Sequence, residues 1–107
     1  MTFSIITAVL NNERHILSCL KSLKNQSFNK KNIEHIIVDG GSTDNTLQII
    51  KNFKKKNKYL KLFIKKKSSI YQAINFGIKK ANNRIIGLLH SDDYFRNKNA
   101  LKFINEV

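Results

Sequence analysis

The stretch Ile85-Ile86-Gly87-Leu88-Leu89-His90-Ser91-Asp92-Asp93 joins a short apolar run directly to two adjacent carboxylates. The apolar run is typical of a buried strand. Two like charges side by side repel, so the pair indicates either a cation opposite it or a helix start, where carboxylates offset the N-terminal dipole. At the carboxyl end of a strand in an open α/β sheet, a Mg²⁺ or Mn²⁺ ion carrying a phosphate would suit these oxygen ligands. On this stretch alone, both interpretations stay open.

The length of 107 residues predicts one domain with enough chain to bury a core. No stretch is long and apolar enough to span a membrane, and no secretory signal pattern opens the chain. The single Cys19 excludes a disulfide framework and a cysteine metal cluster. We therefore expect a cytoplasmic protein.

The formal net charge is +13, and the runs Lys54-Lys55-Lys56 and Lys65-Lys66-Lys67 contribute strongly to it. This charge favours anionic partners such as nucleotides, nucleic acid or an acidic membrane surface. Lysine is abundant throughout the sequence, however, and lysine side chains that are exposed to solvent need no ligand. We prefer this second interpretation of the charge. The acids are more informative, because all four Asp fall within Asp39–Asp44 or at Asp92-Asp93.

Apolar periodicity predicts four strands that alternate with helices. Ser42 or Thr43 is expected to cap the second helix, with Asp44 in its first turn. The predicted strands are 3–9, 33–38, 59–64 and 85–89, and the predicted helices run from 16 to about 26, through Leu47, Ile50 and Phe53, over 70–81, and from about 98.

This alternation predicts an α/β domain with a mainly parallel sheet flanked by helices. In such a sheet all carboxyl ends lie along one edge. If the strand order is 3-2-1-4, the segments Thr7–Asn11, Asp39–Gly41 and Ser91–Asp93 are neighbours and form one crevice at the switch point of the sheet.

Four segments in register carry a resemblance to a known family. They are SIITAVLN at 4–11, IIVDGGSTDNT at 36–46, IYQAINFGI at 70–78 and LHSDD at 89–93. The chain resembles the amino-terminal, nucleotide-sugar-binding half of family-2 glycosyltransferases, which have the GT-A fold, a Rossmann-like nucleotide-binding arrangement. The resemblance covers essentially all 107 residues and implies a single, truncated GT-A domain.

The resemblance implies roles for individual residues. Thr7, Ala8, Leu10 and Asn11 would border the nucleobase, and Asp39, beside Gly40, would hydrogen-bond the uracil of a UDP-sugar. Asp92 and Asp93 would form the DxD-type motif for Mn²⁺ or Mg²⁺, with Asp93 the direct metal ligand and Asp92 nearer the ribose or sugar. The metal would neutralise the diphosphate leaving group.

The resemblance also implies partners. The donor would be a nucleotide-diphospho sugar, and the acceptor a glycan, a lipid-linked molecule or a protein, which agrees with a peripheral contact at the cytoplasmic membrane face. The acceptor half and the general base would lie beyond Val107, so the catalytic residues are unknown. An open sheet edge could pair with another copy or with a carboxyl-terminal partner.

Several positions depart from the family pattern or allow two roles. Leu10 stands where the family usually has an aromatic residue, and Lys67 and Ser69 stand where an acid and a glycine are common. For His90 we favour a packed or hydrogen-bonded role over contact with a metal or phosphate. Tyr71 and Asn75 could face the crevice or belong to the core. Lys65–Lys67 and Arg96 could contact a phosphate or be exposed to solvent. We expect Glu13 and Glu34 at the surface.

Two other functions remain open. The chain could be a nucleotide-binding module that lacks the acceptor half and the base. It could also be a basic α/β nucleic-acid-binding protein, but no helix interleaves basic and aromatic residues, so no nucleic acid is expected. A Gly-x-Gly-x-x-Gly turn does not follow the first strand, which disfavours a dinucleotide cofactor.

Overall fold

The structure, a computed structural model, describes residues 2–91. Asp92, Asp93, Arg96, Glu106 and the predicted final helix lie outside the described residues. The elements are β1 (Phe3–Val9), α1 (Ile16–Lys24), a 3-10 turn (Lys30–Asn32), β2 (Ile33–Asp39), α2 (Thr46–Lys54), β3 (Leu60–Ile64), α3 (Ile70–Lys80) and β4 (Ile85–Leu88).

The four strands form one sheet in the order β3-β2-β1-β4, and all three strand pairs are parallel. The predicted fold class and strand order are therefore confirmed, and the predicted element ends differ from the observed ones by one or two residues. Within residues 2–91, each helix is too short to cross a membrane.

The helices cover both faces of the sheet because side chains along a strand alternate between faces. On one face α1 and α2 pack over Ile5 and Val9 of β1. On the other face α3 packs over Ile6 of β1 and Val38 of β2. The central strands are thus buried on both faces, as expected of a parallel sheet between helix layers.

Gly77 lets α3 approach the sheet closely. A Cβ atom at this position would lie 2.6 Å from Cγ2 of Ile6, which is only 1% exposed, and 3.4 Å from Cγ2 of Val38. Since Cγ2 of isoleucine is fixed at the branch point and the side chain is enclosed, Ile6 cannot move aside at low cost. The position of α3 therefore depends on the absence of a side chain here.

A buried carboxylate holds the end of the sheet that is remote from the strands' carboxyl ends. Glu34 accepts hydrogen bonds of 2.6 Å from the Ser4 hydroxyl, from the backbone N–H of Asn82 and from the Lys61 ammonium. Burial raises the pKa of Glu34, but these donors and the Lys61 charge outweigh burial and hold the pKa below its usual range. Glu34 is 6% exposed, so the expectation of a surface residue is wrong.

His35 is fully enclosed between the sheet and the α1–α2 layer. It shares a 2.8 Å hydrogen bond with the Thr7 hydroxyl, and both residues are 0% exposed. Burial disfavours the charged ring and lowers the pKa of His35 to about 3. The histidine is therefore neutral in the folded protein at ordinary pH.

We expect Gly77→Ala to lower the free energy of unfolding by about 1–3 kcal/mol, because the new methyl group overpacks the contact with Ile6. The same change in an open helix position normally stabilises a protein. Urea unfolding measures the effect. Asn75→Ala, at an exposed position of α3, serves as the control and should be neutral or slightly stabilising. A stabilised Gly77→Ala variant would contradict the close packing.

We expect the free energy of unfolding to fall as the pH drops from about 6.5 towards 3. In this range His35 binds a proton in the unfolded state but stays neutral in the folded state. The contribution approaches about 1.4 kcal/mol per pH unit. His35→Leu should reduce this slope, whereas His15→Gln, at an exposed position, should leave it unchanged. Equal slopes in all three proteins, measured by urea unfolding at several pH values, would disprove the assignment.

Candidate functional site

The carboxyl ends of β1, β2 and β4 meet at one edge of the sheet, where the start of α3 faces them. They enclose an open cleft of about 490 Å³. The backbone N–H of Gly40 donates to the Val9 carbonyl at 2.9 Å, and that of Leu89 donates to the Ile6 carbonyl at 3.0 Å, so the strand ends stay paired up to the cleft. The lining residues are Ala8, Val9, Leu10, Asn11, Asn12, Gly40, Ser68, Ser69, Ile70, Ala73, His90 and Ser91.

Asn11 joins the loop after β1 to the loop after β2. Its side-chain oxygen accepts from the backbone N–H of Thr43 at 2.7 Å and of Asp44 at 3.3 Å. Its own N–H donates to the Ser42 hydroxyl at 2.9 Å. Asn11 has φ +49°, a left-handed conformation that asparagine tolerates better than most residues. The two loops therefore form one wall of the cleft.

Asn12 extends this wall to the loop after β4. Its backbone N–H donates to the Thr46 hydroxyl and its side-chain amide donates to the Ser91 hydroxyl, both at 2.9 Å. One residue thus connects the start of α2 with the segment that leads into Asp92-Asp93. The turn signal Asn11-Asn12 was visible in the sequence, but nothing in it identified these distant partners.

Asp39 shapes the turn that follows β2. One carboxylate oxygen accepts from the N–H of Gly41 at 2.8 Å and of Ser42 at 2.7 Å, and the other accepts from the Ser42 hydroxyl. The side chain is 0% exposed, and Gly41 has φ +108°, a conformation that favours glycine. These three donors compensate for the burial of the carboxylate.

The start of α2 differs from the prediction. Ser42 and Thr43 do not cap the helix, because it begins at Thr46 and their polar groups bond within the loops. The carboxylate of Asp44 accepts instead from the N–H of Thr46 at 2.9 Å and of Glu13 at 3.3 Å. The contact with the Thr46 side chain, followed by these backbone donors, holds the pKa of Asp44 below its usual range.

The opposite wall of the cleft comes from the start of α3. Ser69 and Gln72 form a capping box there: the Ser69 hydroxyl accepts from the Gln72 N–H at 3.1 Å, and the Gln72 side chain accepts from the Ser69 N–H at 2.8 Å. This arrangement satisfies two helix donors and fixes the first turn. Ile70, which follows, is half exposed over the cleft.

The structure brings together four of the residues predicted for nucleotide binding: Ala8, Leu10, Asn11 and Gly40 line the cleft. Thr7 does not contribute its side chain, which lies on the other face of β1 and bonds His35. The Asp39 carboxylate lies behind the cleft within its own turn. The predicted metal ligands Asp92 and Asp93 lie outside the described residues, directly after Ser91 in the cleft wall.

Two further expectations have clear outcomes. His90 is exposed and lines the cleft, so it is not packed in the core, while its hydrogen-bonded role stays a prediction. Tyr71 does not line the cleft; it is 77% exposed on the outer surface of α3, and Asn75 lines a separate pocket beside Lys65–Lys67. Ser69, which the sequence marked only as a departure from the family pattern, and Ser68, which it did not single out, both line the cleft.

The described lining of the cleft contains no lysine, arginine, aspartate or glutamate side chain. No lysine or arginine side chain is part of it, although the chain carries 20 of them. Within residues 2–91, no cluster of three or more His, Cys, Asp or Glu side chains could hold a metal ion. The described lining therefore offers no lysine or arginine to pair with an anion in this cleft.

Comparison with known proteins identifies the class. The family model of Glycosyl transferase family 2 matches residues 4–107, so the chain belongs to this family. The poly(ribitol-phosphate) beta-N-acetylglucosaminyltransferase TarS of Staphylococcus aureus is 34% identical over 99% of the chain. The crystal structure of TarS residues 1–349 in complex with UDP-GlcNAc superimposes with a TM-score of 0.91 over 99% of this chain and 30% of that one.

An archaeal relative is more similar over a shorter range. The dolichyl N-acetyl-alpha-D-glucosaminyl phosphate 3-beta-D-2,3-diacetamido-2,3-dideoxy-beta-D-glucuronosyltransferase of Methanococcus voltae is 42% identical over 74% of this chain and 25% of that protein. The mannosyltransferase PcManGT of Pyrobaculum calidifontis, solved with GDP-Man and Mn²⁺, shares the fold with a TM-score of 0.85 at 20% identity, over 95% of this chain and 32% of that one. The chain spans between 15% and 40% of the length of the curated relatives it matches.

We expect Asp39→Asn to lower the free energy of unfolding by about 2 kcal/mol, since an amide cannot accept from all three donors of the turn. Hydrogen exchange of the Gly41 and Ser42 amides should accelerate. Glu13→Gln makes the same charge change at an exposed position of the same edge and should cost less than about 0.5 kcal/mol. If the two variants are equally stable, the carboxylate does not hold the turn.

Proposed function

We propose that the chain is the donor-binding part of a glycosyltransferase that takes its sugar from a nucleotide-diphospho donor with a UDP carrier. The observation that carries the proposal is the cleft at the carboxyl edge of the sheet, formed by loops far apart in the sequence. Membership of glycosyl transferase family 2 and the UDP-GlcNAc complex of the similar TarS domain support it.

The nucleobase would bind at the β1–β2 side of the cleft. Ala8 and Leu10 offer apolar contacts, and Leu10 is exposed enough, at 55%, to cover one face of a base in place of the aromatic residue common in the family. Within the described residues, Oδ1 of Asp39 accepts only from the Ser42 hydroxyl, so it keeps a lone pair for a uracil N–H. Because the side chain is buried, that contact requires the turn to shift.

The diphosphate would lie towards the loop after β4. A diphosphate is strongly anionic, and the described lining supplies no lysine or arginine to balance it. Asp92 and Asp93, which follow Ser91, would hold Mn²⁺ or Mg²⁺, with Asp93 as the direct ligand and Asp92 nearer the ribose or sugar. The bound cation would offset charge on the departing nucleoside diphosphate. The Asn12–Ser91 hydrogen bond would orient the backbone that leads into the ligands.

The acceptor and the general base are also part of the proposal. A glycan, a lipid-linked molecule or a protein would provide the hydroxyl, and a carboxylate in a further part of the protein would deprotonate it. Within residues 2–91, the carboxylates of Glu34, Asp39 and Asp44 are occupied by the hydrogen bonds described above. None of these three is therefore available as a base.

Calorimetric titration of the 107-residue chain tests donor binding. We expect UDP to bind in the presence of Mn²⁺ and to bind on the order of 10-fold more weakly without it or in Asp93→Asn. Glu106→Gln removes one carboxylate outside the motif and is the matched control, which should bind as the unchanged chain does. No binding of UDP with Mn²⁺, or binding that neither Mn²⁺ nor Asp93→Asn alters, would contradict the proposal.

Donor consumption distinguishes the enzyme from a binding module. The chain alone should bind UDP without releasing UDP from UDP-sugars in the presence of acceptor, because the proposed base belongs to a further part of the protein. Turnover by the chain alone would overturn the assignment of the base to a further part of the protein.

A further inference from the structure

Five lysines gather on the side of the molecule where α3 packs beside β3. We call Lys65, Lys66, Lys67, Lys79 and Lys80 the basic face. Four of them, all but Lys80, line a shallow pocket of about 460 Å³ together with Ser68, Gln72, Asn75 and Phe76. All five side chains are exposed. This pocket is separate from the donor cleft and shares only Ser68 with it.

Aromatic contacts fix the position of the basic face. Phe63 of β3 and Phe76 of α3 meet edge to face, with ring centroids 5.6 Å apart and an angle of 72°. The ammonium groups of Lys65 and Lys80 each lie 5.3 Å from the Phe76 centroid, and that of Lys80 lies 5.7 Å from the Phe63 centroid. Cation–π attraction therefore holds two like charges against the same ring.

The described acids do not neutralise this charge. The one ion pair within residues 2–91 joins Lys61 to Glu34, outside the basic face. Asp39, Asp44 and Glu13 bond the loops at the carboxyl edge of the sheet. Five neighbouring positive charges repel one another, and an anionic partner would relieve that repulsion.

We propose that the basic face docks on an anionic lipid bilayer. A single phosphate group can balance at most two of the five charges, whereas a bilayer presents many phosphates in one plane. Clusters of four to eight basic residues are typical of such contacts, and each lysine near the surface contributes attraction.

This proposal does not depend on donor binding, since its residues lie outside the cleft and its test measures lipid affinity alone. The chain is titrated with vesicles of phosphatidylcholine containing about one third phosphatidylglycerol, and with vesicles of phosphatidylcholine only. We expect binding to the anionic vesicles alone, weakening as salt screens the charges.

The test variant changes Lys65, Lys79 and Lys80 to Gln. It should bind anionic vesicles about 100-fold more weakly, since each lysine contributes about fivefold. The matched control changes Lys21, Lys24 and Lys51 to Gln, which removes the same charge from α1 and α2 on the opposite face. It also removes a comparable ring contact, because the Lys24 ammonium lies 5.6 Å from the Phe53 centroid. The control should lose little affinity.

A second pair of variants, each with one substitution, decides the test if the triple mutants fail to fold. Lys79→Glu changes an exposed side chain without a ring contact among the described residues, and we expect it to weaken binding about tenfold, while Lys21→Glu should not. Equal losses in test and control variants would show that only net charge matters and would overturn the proposal. Binding to neutral vesicles as strong as to anionic ones would do the same. A short DNA duplex that binds more tightly than the vesicles and loses that binding in the test variants would instead assign the face to nucleic acid.

Discussion

The cleft depends on the side chain of Asn11. This residue lies in the loop after the first strand and has a left-handed conformation, and its side-chain amide reaches the loop of the neighbouring strand. There its side-chain oxygen accepts from two consecutive backbone N–H groups, and its backbone N–H donates to the Ser42 hydroxyl. Loops after parallel strands have no ladder partner of their own, so side chains must supply the bonds that hold them together. Asn11 supplies them here, and Asn12 continues the connection to Ser91.

The buried carboxylate of Asp39 stabilises the turn that follows β2. Its carboxylate is enclosed, and the cost of removing it from water is met by two N–H groups and a hydroxyl from the next three residues. The Ser42 hydroxyl that donates to Asp39 also accepts from Asn11, so the two residues share one network. A change at Asn11 or Asp39 should therefore alter the wall of the cleft, because both residues bond the loop that forms it.

The fold was predictable because its signals are local. Apolar runs, helical spacing and polar strand ends identify each element, and a parallel sheet then brings the strand ends to one edge. What the sequence did not reveal are contacts between residues far apart in the chain. Asn12 and Ser91, or Glu34 and Asn82, carry no periodic pattern that links them. Ser42 and Thr43 were mistaken for helix caps because their type suits that position, whereas the bonds of Asn11 and Asp39 compete for the same groups.

Carboxylates and lysines are distributed unevenly among the described residues. Among the described residues, three of the four carboxylates bind loop donors at the carboxyl edge, and five unpaired lysines lie together beside β3 and α3. A lysine in the donor cleft would attract a diphosphate, but it would also pair with the carboxylates proposed to hold the cation. The absence of lysines from the described lining would avoid this competition, while the charge of +13 would attract the proposed anionic donor over longer distances. This arrangement is compatible with both proposals, a cation-dependent donor cleft and a lysine-rich docking face in one small α/β unit.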